Sequence, residues 1–297
     1  MNRLRKLIEL LCLGISWGSG FMLIKISLDS FSPILLTTFR CFLSGSICLV
    51  LSGIKIKKTP WKMPLTPQLI LVAVCTNAIP FTLCTYGEVY AHSATAGISE
   101  GLIPLFTTLL SVFLIKKFKL DKTHFIGVLL GLIGLLIMFI SSFTDNINNN
   151  EIGRFLLIGM ALFFSLGFIL GEKFLKNLDP IQLCSSQHLI AGFALLPLAF
   201  YFENPSQLIT APIEGYQAML CLCILNSLGW SIYYHLIQNT SAAFVSISTY
   251  IVPITAVFMG QFFLSEDLTW NMYLGAIIIL ASVFAINQRP HSPTPTP

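Results

Sequence analysis

Long apolar runs separated by short polar breaks extend along nearly the whole chain. Each run lasts about 20 residues and lacks the alternation of a barrel strand, so it fits a helix that crosses the hydrocarbon core of a bilayer. Asp, Asn and Pro at the breaks favour helix ends. The pattern predicts ten membrane-spanning helices at residues 7–27, 33–51, 68–89, 94–115, 124–142, 153–174, 181–200, 216–236, 241–264 and 270–287.

The composition excludes a soluble globule and identifies lipid as the surrounding medium. Of the 297 residues, 55% are hydrophobic and only 10% are charged, whereas soluble domains carry about 25% charged residues. Because lipid leaves no water for backbone groups, spanning segments must pair those groups internally, as helices do. We therefore predict an all-α polytopic membrane protein. Its eight cysteines lie in apolar runs and are expected to be buried.

The charge of the connecting segments predicts the orientation. Lys and Arg cluster before the first span, at 55–62, at 116–122, at 173–176 and at Arg289, which all fall on one side of a ten-span threading. The other connections are acidic, with Lys25 and Arg154 as basic exceptions. The positive-inside rule then predicts that both termini lie in the cytoplasm, and we expect the membrane to be the cytoplasmic (inner) membrane.

The two halves of the chain resemble each other. When Pro104 is aligned with Pro253, Asn77 falls on Asn226, and residues 93–114 overlay residues 242–263 without a gap. Five spans per half require the second half to enter the membrane from the opposite side. The sequence thus predicts two inverted five-helix repeats, 1–150 and 151–288, followed by a disordered cytoplasmic tail, 289–297. Such repeats enclose transport sites in many secondary transporters, although duplication could also have built a plain bundle.

Several motifs carry a family resemblance. They are WGSGFMLIK (17–25), FRCFLSG (39–45) and residues 91–117 in the first half, and residues 178–192, 240–269 and 275–286 in the second. In these motifs the chain resembles two EamA repeats of the drug/metabolite transporter superfamily. The resemblance implies ten helices, cytoplasmic termini, and movement of amino acids or other metabolites, more often outward. Gln187 stands where the first copy has Arg40, which departs from a strict repeat.

Two ionisable residues near the middle of predicted spans are candidates for the solute pathway. Glu100 lies about 6 Å along the helix from Pro104, and Arg40 lies mid-way along the second span. A charge at that depth costs about 2.5–3.5 kcal/mol on insertion scales. Glu100 could bind a substrate amine, carry a proton or be a capped structural carboxylate. Arg40 could contact solute or form a structural ion pair or carbonyl clamp, and pairing with Glu100 is open.

Further pathway candidates are amides and aromatics whose alternative role is packing or interfacial anchoring. They are Asn77, Asn226, Trp17, Tyr86, Trp230, Tyr234 and Tyr250. Pro104 and Pro253 each free the carbonyl four residues earlier, which predicts either a hinge beside a lined cavity or an ordinary kink.

The sequence favours a secondary transporter that works by alternating access. There is no Walker A loop, dinucleotide fingerprint or HExxH motif, so we expect no catalytic residue, cofactor, metal or nucleic acid. The expected partners are a small solute, the lipid bilayer and a proton as coupling ion, and a homodimer is left open. The alternatives are uptake or exchange by the same fold and, more remotely, an intramembrane lipid or prenyl enzyme.

Overall fold

The computed structural model describes residues 3–55, 65–114, 122–140, 148–175, 178–239, 245 and 248–287. All regular structure in these ranges is helical. The helices are α1 Arg3–Leu28, α2 Pro33–Lys55, α3 Pro67–Ala73, α4 Ile79–Tyr90, α5 Ser93–Glu100, α6 Ile103–Leu114, α7 Lys122–Ile140, α8 Asn148–Leu175, α9 Pro180–Phe202, α10 Gln207–Thr210, α11 Ile213–Asn239, α12 Ser248–Phe263 and α13 Trp270–Asn287. A π-helical turn, Val74–Ala78, joins α3 to α4.

The described helices confirm an all-α polytopic membrane protein. Six are long and apolar enough to cross a bilayer: Leu4–Leu28, Pro33–Leu51, Pro67–Tyr90, Glu151–Leu175, Ile181–Phe202 and Ile213–Leu236. Three shorter apolar stretches follow the same pattern, at Phe125–Gly134, Ile251–Phe263 and Trp270–Ser282. The count of ten stays a prediction, and the predicted tail 289–297 and most basic connections lie outside the described residues.

Large apolar side chains cover much of the exposed surface, including Phe113, Tyr201, Phe202 and Ile209. This surface suits lipid rather than water. Two cysteines on it, Cys12 and Cys221, contradict the expectation that every cysteine is buried. Their helices turn an apolar face outward to lipid, where a thiol is as acceptable as in a core.

The two halves of the chain interleave instead of forming separate bundles. α2 packs on α9, α5 on α12 and α7 on α13, so each of these helices meets its counterpart from the other half. α1 packs on α11 and α12, and the counterpart α8 packs on α4, α5 and α6. The packing is therefore the same when the halves are exchanged, as a pseudo-two-fold arrangement requires.

Contacts between residues of neighbouring helices show whether the two helices run parallel or antiparallel. Along α1, Trp17 lies beside Gly229 and Gly20 beside Leu222, so α1 and α11 are antiparallel. Arg40 meets Asn226 and Cys48 meets Ser231, so α2 runs parallel to α11.

The same reasoning gives the direction of the second half. α2 is antiparallel to α4 because Thr37 contacts Thr85 while Arg40 contacts Phe81. α4 is in turn antiparallel to α8, where Gly153 lies beside Gly87, and Gly167 lies beside the π-helical turn. It follows that α8 runs parallel to α2 and opposite to its counterpart α1, which is the inverted arrangement.

The predicted fourth span is interrupted. α5 ends at Glu100, the turn Gly101–Leu102 follows, and α6 begins one residue before Pro104. Pro104 lacks the N–H that would bond to the carbonyl of Glu100, so the helix opens there. Its counterpart Pro253 lies inside the continuous helix α12, so the described part of the second half has no interruption at the equivalent point.

Two glutamates of the second half cap helix N-termini of the first half, at what we call the capped end of the molecule. Glu203 accepts hydrogen bonds from the N–H groups of Ile34 (2.9 Å) and Leu35 (2.6 Å). Glu266 accepts from the N–H groups of Ser93 (2.6 Å) and Ala94 (3.1 Å). Free N–H groups and the positive end of the helix dipole both favour a carboxylate at such a position.

Backbone geometry places Glu266 at this position. Ser265 has φ 54°, the only positive φ of a non-glycine residue in the described chain. This residue turns the chain sharply after α12, and the N–H of Glu266 bonds back to the carbonyl of Gly260 at 3.1 Å. The arrangement is a Schellman-type helix end, and it directs the carboxylate of Glu266 toward α5.

We predict that Glu266→Gln lowers the free energy of unfolding by about 1.5–3 kcal/mol, the range for hydrogen bonds to a charged group. The neighbouring exposed Asp267 gives a matched control, since Asp267→Asn should change stability by less than about 0.5 kcal/mol. Denaturant unfolding in detergent measures both. Equal effects of the two substitutions would contradict a capping role for Glu266.

Candidate functional site

A small cavity lies between the two halves, near the middle of the bundle. Its volume is about 50 Å³, which leaves room for a few water molecules. Its walls come from α1, α2, α4, α8 and α11, together with Glu100 at the end of α5 and Ile103 at the start of α6. Five of the predicted pathway residues line it: Trp17, Arg40, Glu100, Asn226 and Trp230.

Arg40 is the cationic group of this cavity, and it is only 8% exposed. Its Nη2 donates a hydrogen bond to Oδ1 of Asn226 at 3.1 Å, and its guanidinium lies 3.9 Å from the ring centre of Phe81. The other two nitrogens, Nε and Nη1, are buried without a hydrogen-bond partner. Buried polar groups almost always have partners, so these donors are free to receive an acceptor from a ligand.

A hydrogen-bond network holds Asn226 in place for Arg40. The amide nitrogen of Asn226 donates to Oγ of Ser44 at 3.1 Å and lies 2.9 Å from Nε2 of His188. Nδ1 of His188 lies 2.8 Å from the carbonyl of Cys184. These contacts fit a neutral imidazole that carries its proton on Nδ1 and accepts from Asn226 at Nε2. The amide oxygen of Asn226 therefore faces Arg40.

Glu100 brings a carboxyl group to the same cavity. It is the last residue of α5, immediately before the interruption, and it is half-buried. Within the described part of the chain its carboxyl group has no hydrogen-bond partner, and no ion pair joins it to Arg40. The cavity thus holds a cationic group and a carboxyl group that do not neutralise each other by direct contact.

Aromatic rings form the cavity wall opposite the capped end. Trp17 packs against Trp230 with ring centres 5.4 Å apart and against Tyr233 at 5.6 Å. Phe168 stacks on Tyr233 at 5.7 Å. Trp17 belongs to the first half and the other rings to the second, so a relative movement of the halves would separate Trp17 from them.

The position that the repeat relates to this cavity has the same kinds of residue, but side chains occupy the space there. Gln187, the counterpart of Arg40, lies 3.4 Å from the amide nitrogen of Asn77, the counterpart of Asn226. Oε1 of Gln187 also accepts from Thr76 at 3.1 Å and from the hydroxyl of Tyr234 at 3.0 Å. Asn77 and Tyr234 therefore belong to this second cluster and not to the cavity wall.

The remaining predicted residues lie elsewhere. The hydroxyl of Tyr86 donates to Glu203 at 3.3 Å, at the capped end. Pro104 and Pro253 are absent from the cavity wall, and Pro104 borders the interruption next to Glu100. Tyr250 lies in α12, but its side chain is outside the described part of the structure.

Sequence reasoning did not identify several side chains of the cavity wall. Phe81, Phe164 and Phe168 line the cavity, yet they are three of 24 phenylalanines and carry no distinguishing local pattern. The contact of His188 with Asn226 also requires the fold. By contrast, the alignment of the two repeats already places Gln187 at the position of Arg40.

The two equivalent asparagines should differ in accessibility. In a cysteine-free background, we predict that Asn226→Cys reacts with a water-soluble maleimide, because position 226 lines the cavity. Asn77→Cys should stay unreactive, because position 77 is fully buried in the second cluster. Mass spectrometry of the folded protein in detergent measures both. Faster labelling at 77 than at 226 would contradict the assigned cavity.

Comparison with known proteins supports this arrangement of two similar halves. The EamA-like transporter family matches residues 5–140 and again 151–288. The uncharacterized transporter YvbV of Bacillus subtilis is 25% identical over 294 residues, which cover 97% of this chain and 93% of the relative. The uncharacterized inner membrane transporter YedA of Escherichia coli is 25% identical over 93% of this chain and 89% of its own length.

A solved crystal structure shows the same fold, with a TM-score of 0.66 at 14% identity over 96% of this chain and 98% of the other. The matched ranges together include the cavity and both polar clusters. The chain belongs to the EamA-like transporter family.

Proposed function

We propose that this protein is a secondary transporter that moves a small metabolite through the cavity by alternating access. The observation that carries the proposal is that Arg40, whose buried donors lack partners, and the carboxyl group of Glu100 line the same cavity. An intramembrane ionisable group is expensive and is generally kept for function. Residues 1–150 and 151–288 act as the two moving units.

The chemistry of the cavity indicates the class of solute. The free Nε and Nη1 donors of the Arg40 guanidinium suit an anionic group such as a carboxylate, and Glu100 suits an amine. Trp17, Phe81 and Trp230 supply apolar walls for the rest of the molecule. An amino acid or a related amphipathic metabolite combines these features.

The small volume of the cavity supports a transport cycle in which the protein changes conformation. Ligand sites for organic molecules usually measure about 300–1,000 Å³, whereas this cavity measures about 50 Å³. Binding therefore requires the two halves to separate at one end. Helix α1 contacts α11 and α12 through glycines, and such close contacts let helices slide.

The direction we propose is export across the inner membrane, with both termini in the cytoplasm and the capped end outside. A proton gradient is the proposed driving force. Uptake or exchange by the same path is the alternative, and a homodimer is compatible with either. A lipid or prenyl enzyme would instead change the lipid products of the cell.

We predict that cells that overproduce the protein lose a defined set of polar metabolites to the medium, and that Glu100→Gln abolishes most of this loss. Substituting the carboxyl group removes the partner for the solute amine or the proton. Untargeted metabolomics of cells and medium measures the effect, with a deletion strain as baseline.

Glu214→Gln is the matched control, because Glu214 is an exposed carboxylate at the start of α11. It should behave like the unmodified protein at equal membrane abundance. Unchanged metabolite distribution in every strain would contradict the transporter proposal. A change confined to lipids would favour the enzyme alternative. Accumulation of metabolites in the cells instead of the medium would favour uptake.

A further inference from the structure

Glu88 is a second buried carboxyl group, outside the cavity wall. It lies near the end of α4 and is 0% exposed. Its Oε1 accepts a weak hydrogen bond from the thiol of Cys84 at 3.6 Å, and its Oε2 is buried without any partner. Glu88 differs in this respect from the helix-capping carboxylates Glu203 and Glu266, which accept hydrogen bonds from backbone N–H groups.

Glu88 lies between the cavity and the capped end. Cys84, one turn earlier on α4, lines the cavity together with Glu100. On the other side, Nζ of Lys25 donates to the carbonyl oxygens of Glu88 (2.5 Å) and Ala91 (2.9 Å). Lys25 belongs to the last turn of α1, so this contact closes the space between α1 and the end of α4.

The charged surroundings of Glu88 come from several elements. Lys25 of α1, Arg40 of α2 and Glu266 from the segment after α12 act on it electrostatically, and Cys84 is its titratable neighbour on α4. The helix α8 presents Gly153 and Leu157 to this part of α4. The surroundings therefore combine two cations with one further carboxylate.

We propose that Glu88 is a proton-binding site of the transport cycle, reached from the capped end when Lys25 leaves the end of α4. In that state the carboxylate of Glu88 takes one proton from water and becomes a neutral carboxylic acid. When Lys25 returns and the opposite end opens, Glu88 releases the proton to water in the cavity on the Cys84 side. The inference rests on the proposed function, and it adds the site that holds the coupling ion.

Infrared difference spectroscopy tests proton binding without any solute. Purified protein in lipid is cycled between acidic and alkaline buffer, and the stretching band of protonated carboxyl groups is recorded. We expect Glu88→Gln to remove one titrating band, Glu100→Gln to remove a different one, and Glu88→Asp to restore a shifted band. Glu203→Gln is the control, because both oxygens of Glu203 are already hydrogen-bonded, and the band assigned to Glu88 should remain in its spectrum.

The variant Lys25→Ala tests whether the contact of Lys25 with the end of α4 controls access to Glu88 from the capped end. We expect the Glu88 band to shift several-fold faster after transfer to deuterated buffer, because the contact that closes the capped end is gone. A Glu88→Gln spectrum identical to that of the unmodified folded protein, or a Glu88 band that never titrates, would overturn the proposal even if solute flux is observed. A titrating Glu88 band without any metabolite flux would contradict the proposed function and leave proton binding by Glu88 established.

Discussion

The structure depends on one constraint, the high free energy of polar groups that lack partners inside a membrane. Here many of those partners come from the other half of the chain. Arg40 of α2 bonds to Asn226 of α11, and Glu266 of the second half caps α5 of the first. The halves cannot separate fully without exposing these groups to lipid. They can exchange one set of contacts for another, which is the requirement for a rocking movement.

The repeat explains how the described cavity arises beside one of two equivalent polar pairs. Arg40 with Asn226, and Gln187 with Asn77, are equivalent pairs at equivalent places. In the second pair, the hydroxyl of Tyr234 fills the space and satisfies Gln187. In the first pair, two guanidinium nitrogens remain without acceptors beside open volume. The duplication thus produced one filled polar cluster and one polar cluster that borders a cavity from the same framework.

Much of the fold could be predicted from the sequence because lipid imposes a simple pattern. Apolar runs of membrane length, loop charge and the Pro104–Pro253 alignment were sufficient for an all-α protein with two opposed halves. The site was harder, because burial alone does not say which way a polar side chain points. Asn77 and Asn226 look alike in sequence, and only the neighbouring Gln187, Tyr234 and Arg40 distinguish them.

The central claim is that a single cavity is reached in turn from both faces of the membrane. Ile103 lines this cavity next to the interrupted helix, so a cysteine there reports its access directly. In a cysteine-free background, an impermeant thiol reagent is applied to right-side-out and to inside-out membrane vesicles that carry Ile103→Cys. The account predicts labelling from both faces, each at a measurable rate. Labelling from one face alone, or from neither, would contradict alternating access.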